Sequence, residues 1–432
     1  MTAHSNYQRE VYIVDGARTP FLKYRGKPGV FSASDLAVQA GRELLVRQPF
    51  SPQDLGEVVL GCVMPAADEA NIARLVALRL GCGKAMPAWT VQRNCASGMQ
   101  AIDSAAKDIA AGRHDLVLAG GTEAMSRAPL LFNDAMVKWL SGFWAAKSFG
   151  LKCQQLLRFH PGYLAPVISL LKGLTDPLVN LSMGQTAENL AYRFHIARKA
   201  ADEFSLASHQ RTLQAQEQHW LEEVMPVFTN NGEFYTADDG VRGDSSLEKL
   251  ASLKPIFDKK FGSVTAGNSS QVTDGAALLL LASKTAVEKF KLPVLARILD
   301  TEWGGVDPAE MGLGPVVASG KLLARQQLRM EDIDYWEINE AFAAQVLACV
   351  AAMQDETVCR ELLGLPHALG KLDLSCLNID GGAVALGHPV GASGARIVLH
   401  LAHILRRKKA KTGVATICIG GGQGGAMLIE SV

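Results

Sequence analysis

The sequence predicts an α/β fold built from two similar halves, and three observations carry that prediction. Short apolar runs ending in small residues alternate with alanine-rich helical stretches. A series of motifs near the N-terminus recurs in the same order near the C-terminus. Between the two series, 130–262 breaks the pattern.

The strand-like runs cover 10–14, 57–61 and 115–121, and the helical stretches between them cover 34–47, 68–80 and 98–111. Runs this apolar read as buried strands, so the alternation predicts helices covering a mostly parallel sheet. The repeat has three parts. Ser51-Pro52-Gln53-Asp54-Leu55, ahead of one β run, matches Met330-Glu331-Asp332-Ile333-Asp334 ahead of Tyr335-Trp336-Glu337-Ile338. Ala96-Ser97-Gly98 opens one helix as Ala392-Ser393-Gly394 opens another over 395–407. Leu118-Ala119-Gly120-Gly121 matches Ile417-Cys418-Ile419-Gly420-Gly421, which sets Cys418 opposite Ala119. Two such halves would meet with their helix-opening loops close together.

The interrupting region is different in kind. Trp139, Phe143, Trp144, Phe149, Leu156, Leu157 and Phe159 stand among Lys138, Lys147, Lys152 and Arg158, and Asp134 is the one acidic residue in 134–160. This reads either as a docking face for a membrane or partner subunit through 131–182, or as a lid packed on its own domain. Over the whole chain charge is balanced, with 43 Lys plus Arg against 43 Asp plus Glu, so no field recruits nucleic acid. No stretch approaches a membrane span and the first ten residues lack a secretory apolar core, so the expectation is a soluble cytoplasmic protein. The eight cysteines show no metal-ligand spacing, and no metal site is expected.

Four segments carry chemistry. In Arg93-Asn94-Cys95-Ala96-Ser97-Gly98, a strand-like run turns straight into a helix. A cysteine there meets free N–H groups and the positive end of the helix dipole, which lowers a thiol pKa. Cys95 reads equally as a nucleophile or as a small buried residue at a tight junction. In Gly381-Gly382-Ala383-Val384-Ala385-Leu386-Gly387-His388-Pro389, a histidine precedes the matching helix, and symmetry would bring it to Cys95 as a base. A lone histidine is more often structural or solvated. Cys418-Ile419-Gly420-Gly421-Gly422-Gln423-Gly424 ends a β run in glycines whose bare N–H groups suit an oxyanion site; a phosphate loop is the other reading, but no Walker lysine follows. Asn339-Glu340 lies where a strand meets a helix, as an N-cap or as a holder of a catalytic water.

Together these segments resemble the thiolase family. Asn-Cys-Ala-Ser-Gly at 94–98, Val264-Thr265-Ala266-Gly267-Asn268-Ser269-Ser270, Asn339-Glu340-Ala341-Phe342, the Gly-His-Pro loop at 387–389 and the Cys418 glycine loop occur in the family's order, and the similarity runs from about residue 10 to the end. The resemblance implies duplicated βαβαβαββ halves forming a five-layered αβαβα core with an inserted loop domain. It implies halves at 1–130 with 263–290 and at 291–432, and an insert at 131–262. It implies Cys95 as acylated nucleophile, His388 as its activator and Cys418 as general acid and base. Asn339, through a water, and His388 would form one oxyanion hole, and the N–H groups of Cys95 and Gly420 the other. Coenzyme A or acetyl-CoA would be substrate rather than a resident cofactor, held near Ser270, Ala266, Phe257, Met183 and Phe342, with Arg242 near the nucleotide. A homodimer or homotetramer is implied. The alternatives are a biosynthetic acetoacetyl-CoA enzyme, a decarboxylating ketoacyl synthase, which carries two histidines and no second cysteine, and a subunit of a multienzyme or membrane complex. The insert resembles that of the thiolase subunits of trifunctional complexes, although those have histidine where Asn339 stands.

Overall fold

The structure is a computed structural model that describes residues 4–432. The predicted strands form at Val11–Arg18, Glu57–Gly61 and Leu116–Ala124, and the predicted helices at Ala33–Val46, Ile72–Arg79 and Ser97–Ala110. The second of these helices starts later than expected because Asn71, whose side chain accepts from the Arg74 N–H, caps it there. The helix expected over 395–407 begins earlier, at Val390, immediately after Pro389, where a fixed φ suits a helix start.

The sheet explains the motif repeat. In the first half the order is Ala88–Val91, Glu57–Gly61, Leu116–Ala124, Thr273–Ser283, Val11–Arg18; the first three are parallel and the rest antiparallel. In the second half a parallel bridge at Leu377 is followed by Tyr335–Ile338, Thr412–Ile419, Gln423–Glu430 and Ala296–Gly305, with the same alternation of sense. Val11–Ile13 pairs antiparallel with Ala296–Ile298 so that Tyr12 faces Arg297, and this joins the halves into one ten-stranded sheet about a local twofold axis.

Side-chain detail repeats as well. Both first strands carry a bulge, at Ile13/Asp15 and at Ile298/Asp300. Arg47 clamps Asp15 through Nε and Nη2 at 2.7 and 2.8 Å while Gln48 Nε2 adds a third bond at 2.6 Å. Arg325 clamps Asp300 through the same atoms at 2.8 Å each, with Gln326 Nε2 at 2.9 Å. The short turns Pro52–Asp54 and Met330–Asp332 each close with an aspartate that accepts the N–H three residues before it, Asp54 from Ser51 and Asp332 from Arg329.

The layers follow from strand alternation. Val58, Leu60, Leu118 and Leu278 face Leu36, Leu44 and Val76 on an outer helical layer, whereas Val59, Val117 and Leu279 face inward. Inside lie Ser97–Ala110 and Val390–Lys408, which pack against both halves of the sheet. On the far side Val414 and Leu428 meet Val316, Leu323 and Val346 of a second outer layer. This is the five-layered αβαβα core. The central helices cross reciprocally: a Cβ on Gly98 would press on Ala395, and one on Gly394 on Met99. Among the described residues no helix is long and apolar enough to cross a membrane.

Strand register corrects one element of the motif alignment. The Gly56 N–H bonds the Leu116 carbonyl as the Asp334 N–H bonds that of Thr412, so Leu116 corresponds to Thr412 and Cys418 to Thr122, not to Ala119. The same spacing relates Gly98 to Gly394, and therefore Cys95 to Gly391.

Candidate active site

Cys95, His388 and Cys418 line one cavity of about 460 Å³, together with Met183, Phe257, Ser270 and Phe342. Each is aimed by local structure. Asn94 adopts a φ of +42°, a conformation asparagine tolerates better than most residues, and its Nδ2 donates to the Gly420 carbonyl at 2.8 Å. Ser97 closes the turn, accepting from the Arg93 N–H and donating to the Asn94 carbonyl. The Cys95 turn and the Cys418 loop are thereby tied together. His388 follows Gly387, whose φ of +99° and contact with Thr273 leave no room for a side chain.

The tautomer of His388 follows from its partners. Ser393 Oγ donates to the Pro389 carbonyl at 3.0 Å, so it must accept from His388 Nδ1, 2.6 Å away. Nε2 is then the unprotonated nitrogen, and it is buried without a protein partner. Burial, reinforced by the Arg396 guanidinium, pushes the His388 pKa down to about 3, so the ring is a neutral base.

The Cys95 thiol does not sit low, as the helix terminus suggested. Burial pushes it up to about 11, although the Gly420 N–H and its own N–H favour the thiolate. Desolvation outweighs the amides, and Cys95 needs a base to react. Cys418, 1% exposed at the strand end, is pushed well above the usual thiol range by burial and by Cys95. Gly420 lies beside Met183, 3.3 Å from where its Cβ would stand to the sulfur. Asn339 is not among the residues lining this cavity. It leaves the strand next to Cys418's, its N–H bonded to the Thr416 carbonyl, and both side-chain polar atoms are buried without a protein partner.

A second cleft, of about 570 Å³, shares Phe257, Ser269, Ser270, Gln271 and Val272 with the first and reaches Ala266 and Arg242. Its rim holds Lys23, Arg242 and Lys249. The Lys23 pKa is lowered by burial and then by Arg242 and Arg25, and that of His209 is pushed down to about 4 by burial and then by Arg242 and Lys23. Such clustered cations suit phosphate groups. Lys23 was not recognised in the sequence; the signal was the basic run Lys23-Tyr24-Arg25-Gly26-Lys27. Also unforeseen were Met125, Leu171, Leu174 and Met311, which make the first cavity apolar.

Paired cysteines and a neutral histidine facing a cation-rimmed cleft form a constellation for acyl transfer, and comparison with known proteins agrees. Residues 11–285 match the thiolase N-terminal domain and 292–431 the thiolase C-terminal domain. The chain belongs to the thiolase family. Human mitochondrial 3-ketoacyl-CoA thiolase is 38% identical over 428 residues, covering 98% of each chain. The 3-oxoadipyl-CoA/3-oxo-5,6-dehydrosuberyl-CoA thiolase of Escherichia coli K12 is 40% identical, covering 98% of this chain and 100% of that one. The crystal structure of the human enzyme in complex with CoA superposes with a TM-score of 0.85 at 38% identity, covering 100% of both chains. Bacillus anthracis acetyl-CoA acetyltransferase gives 0.83 at 36%, covering 99% and 100%. As a thiolase the protein is a coenzyme A-dependent acyltransferase.

Proposed function

We propose that this thiolase cleaves and forms 3-ketoacyl-CoA through an acyl-Cys95 intermediate, with the degradative direction serving fatty-acid β-oxidation. The observation that carries the reading is the apolar cavity on which Cys95, His388 and Cys418 converge, opening to a cleft with a cationic rim. His388 Nε2 takes the Cys95 proton as the sulfur attacks the 3-keto carbon. The tetrahedral oxyanion is met by the N–H groups of Cys95 and Gly420; Asn339, through a water, and His388 meet the oxygen of the enolate that departs. Cys418 protonates that enolate to release acetyl-CoA. Coenzyme A, with its phosphates toward Arg242 and Lys23 and its pantetheine along Ala266, Ser270 and Phe342, then removes the shortened acyl group. Condensation runs the same steps backward.

The acyl group is proposed to be uncharged. No Lys or Arg is among the described residues lining the catalytic cavity, whereas Met125, Leu171, Leu174 and Met311 are. A free carboxylate on the acyl chain would be buried there without a cationic partner. Thiolysis of a four-carbon to sixteen-carbon 3-ketoacyl-CoA series should exceed that of 3-oxoadipyl-CoA by about 100-fold or more in kcat/KM at the best length. A preference for 3-oxoadipyl-CoA would overturn this assignment.

The division into halves at 1–130 with 263–290 and at 291–432, around an insert at 131–262, is supported by the pairing of Thr273–Ser283 with Leu116–Ala124. Association of two copies, as dimer or tetramer, is supported by the sheet's terminal strand, Ala88–Val91, whose outer edge is unpaired among the described residues. We propose that the insert also docks on an anionic lipid surface. Trp144, Phe149 and Leu157 are 75%, 84% and 88% exposed, and the sequence 134–172 carries Lys138, Lys147, Lys152, Arg158 and Lys172 with one acid, Asp134. Phe149→Asp with Leu157→Asp should cut co-sedimentation with phosphatidylglycerol vesicles about tenfold while short-chain thiolysis stays unchanged. Unaltered sedimentation would show that a partner protein or the chain itself uses this face.

A further inference from the structure

The duplication gives each of the two active-site cysteines a counterpart without a thiol. Cys95 corresponds to Gly391 and Cys418 to Thr122. The Cys95 N–H serves the reacting sulfur, whereas the Gly391 N–H donates to Glu123 Oε2 at 3.0 Å. The same carboxylate accepts the Val63 N–H through Oε2 at 2.9 Å and the Met64 N–H through Oε1 at 3.0 Å, and the Cys62 thiol lies 3.7 Å from Oε1. Glu123 is fully buried. A carboxylate in that position is costly unless its lone pairs are filled, and here three amides and a thiol fill them. Burial still pushes its pKa up to about 7. An internal anion thus occupies the closed counterpart of the reaction centre, bound to the amide that matches the oxyanion-binding amide of Cys95.

The location matters because of what the carboxylate holds. Gly391 and Ser393 share the first turn of the helix Val390–Lys408, and Ser393 orients the His388 ring. That turn rests directly on the strand Leu116–Ala124: a Cβ on Gly391 would press on the Thr122 carbonyl and Glu123 Oε2, and one on Gly121 on the Gly391 carbonyl. Val63 and Met64 continue from the strand Glu57–Gly61 on the other side of the carboxylate. We propose that Glu123 is a positioning residue for the reaction, holding the first turn of the His388 helix in register so that Nε2 of His388 faces the Cys95 sulfur.

This inference rests on the roles given above to Cys95 and His388. Those roles stand or fall with Cys95→Ser whatever Glu123 does, so the two failures are distinguishable. Glu123→Gln turns one acceptor into a donor facing backbone donors, and Glu123→Asp withdraws the carboxylate by one methylene. Thiolysis kcat should fall about 30-fold or more in the first and about 3- to 10-fold in the second, with KM for coenzyme A within about twofold of the parent. Alkylation of Cys95 by iodoacetamide should slow by the same factor as kcat, because both need the histidine. Parent-level kcat and alkylation in either variant would overturn the proposal, as would kcat and KM moving together, the mark of general loosening. If Glu123→Gln does not fold, Glu123→Asp decides alone on the same readouts.

Discussion

Replacing Cys95 by serine is expected to abolish thiolysis of acetoacetyl-CoA, lowering kcat by on the order of 10⁴-fold or more, the scale on which a covalent nucleophile is lost. A hydroxyl is a far weaker nucleophile than a thiol, and a neutral imidazole whose pKa lies near 3 is a poor base for it. Iodoacetamide should at the same time stop labelling the peptide that carries residue 95. Partly exposed Cys153 and Cys376 provide the internal control, since their labelling should continue. Full activity in the serine variant, or undiminished labelling of that peptide in the parent after acylation, would sink the role of Cys95.

Cys418→Ala has a different expected outcome. The variant should still take an acetyl group onto Cys95 from acetyl-CoA, measured as stoichiometric radiolabel on the protein. It should lose condensation to acetoacetyl-CoA by about 10³-fold, because no group remains to move the α-proton. The physical basis is the coupling between the two sulfurs. Each buried thiol resists ionisation, and a thiolate at Cys95 raises Cys418 further, so the pair shares at most one negative charge. While Cys95 carries an acyl group that repulsion is gone, so ionising Cys418 to its basic thiolate costs less, with burial left as the main opposing cause. Unchanged condensation in the alanine variant would count decisively against this division.

How much of this was legible in the sequence differs from residue to residue. Cys95, His388 and the Cys418 loop were readable because each places a reactive side chain at a turn whose neighbours are small. Most of the proposed coenzyme A contacts were carried by family resemblance, and these residues line the two cavities, whereas Lys23 is brought to the second by the pairing of Leu22–Lys23 with Thr273 and Asp274. The alignment of Cys418 with Ala119 failed for a definite reason: it matched two glycine pairs that exist for different purposes. Gly121 is small because the Gly391 carbonyl lies against it, whereas Gly421, at a φ of +91°, turns a hairpin. The paired clamps on Asp15 and Asp300 would have given the right register, but their partners lie 32 and 25 residues away along the chain. The thiol pKa was misjudged because a helix terminus is visible in sequence and the depth of its burial is not.

The crossing of the two central helices has a consequence for the life of the molecule before it is complete. The first half brings Cys95, and the second brings His388 and Cys418. The first half alone therefore carries Cys95 without the imidazole proposed to activate it. On the proposed roles, acyl transfer begins only when both halves have docked.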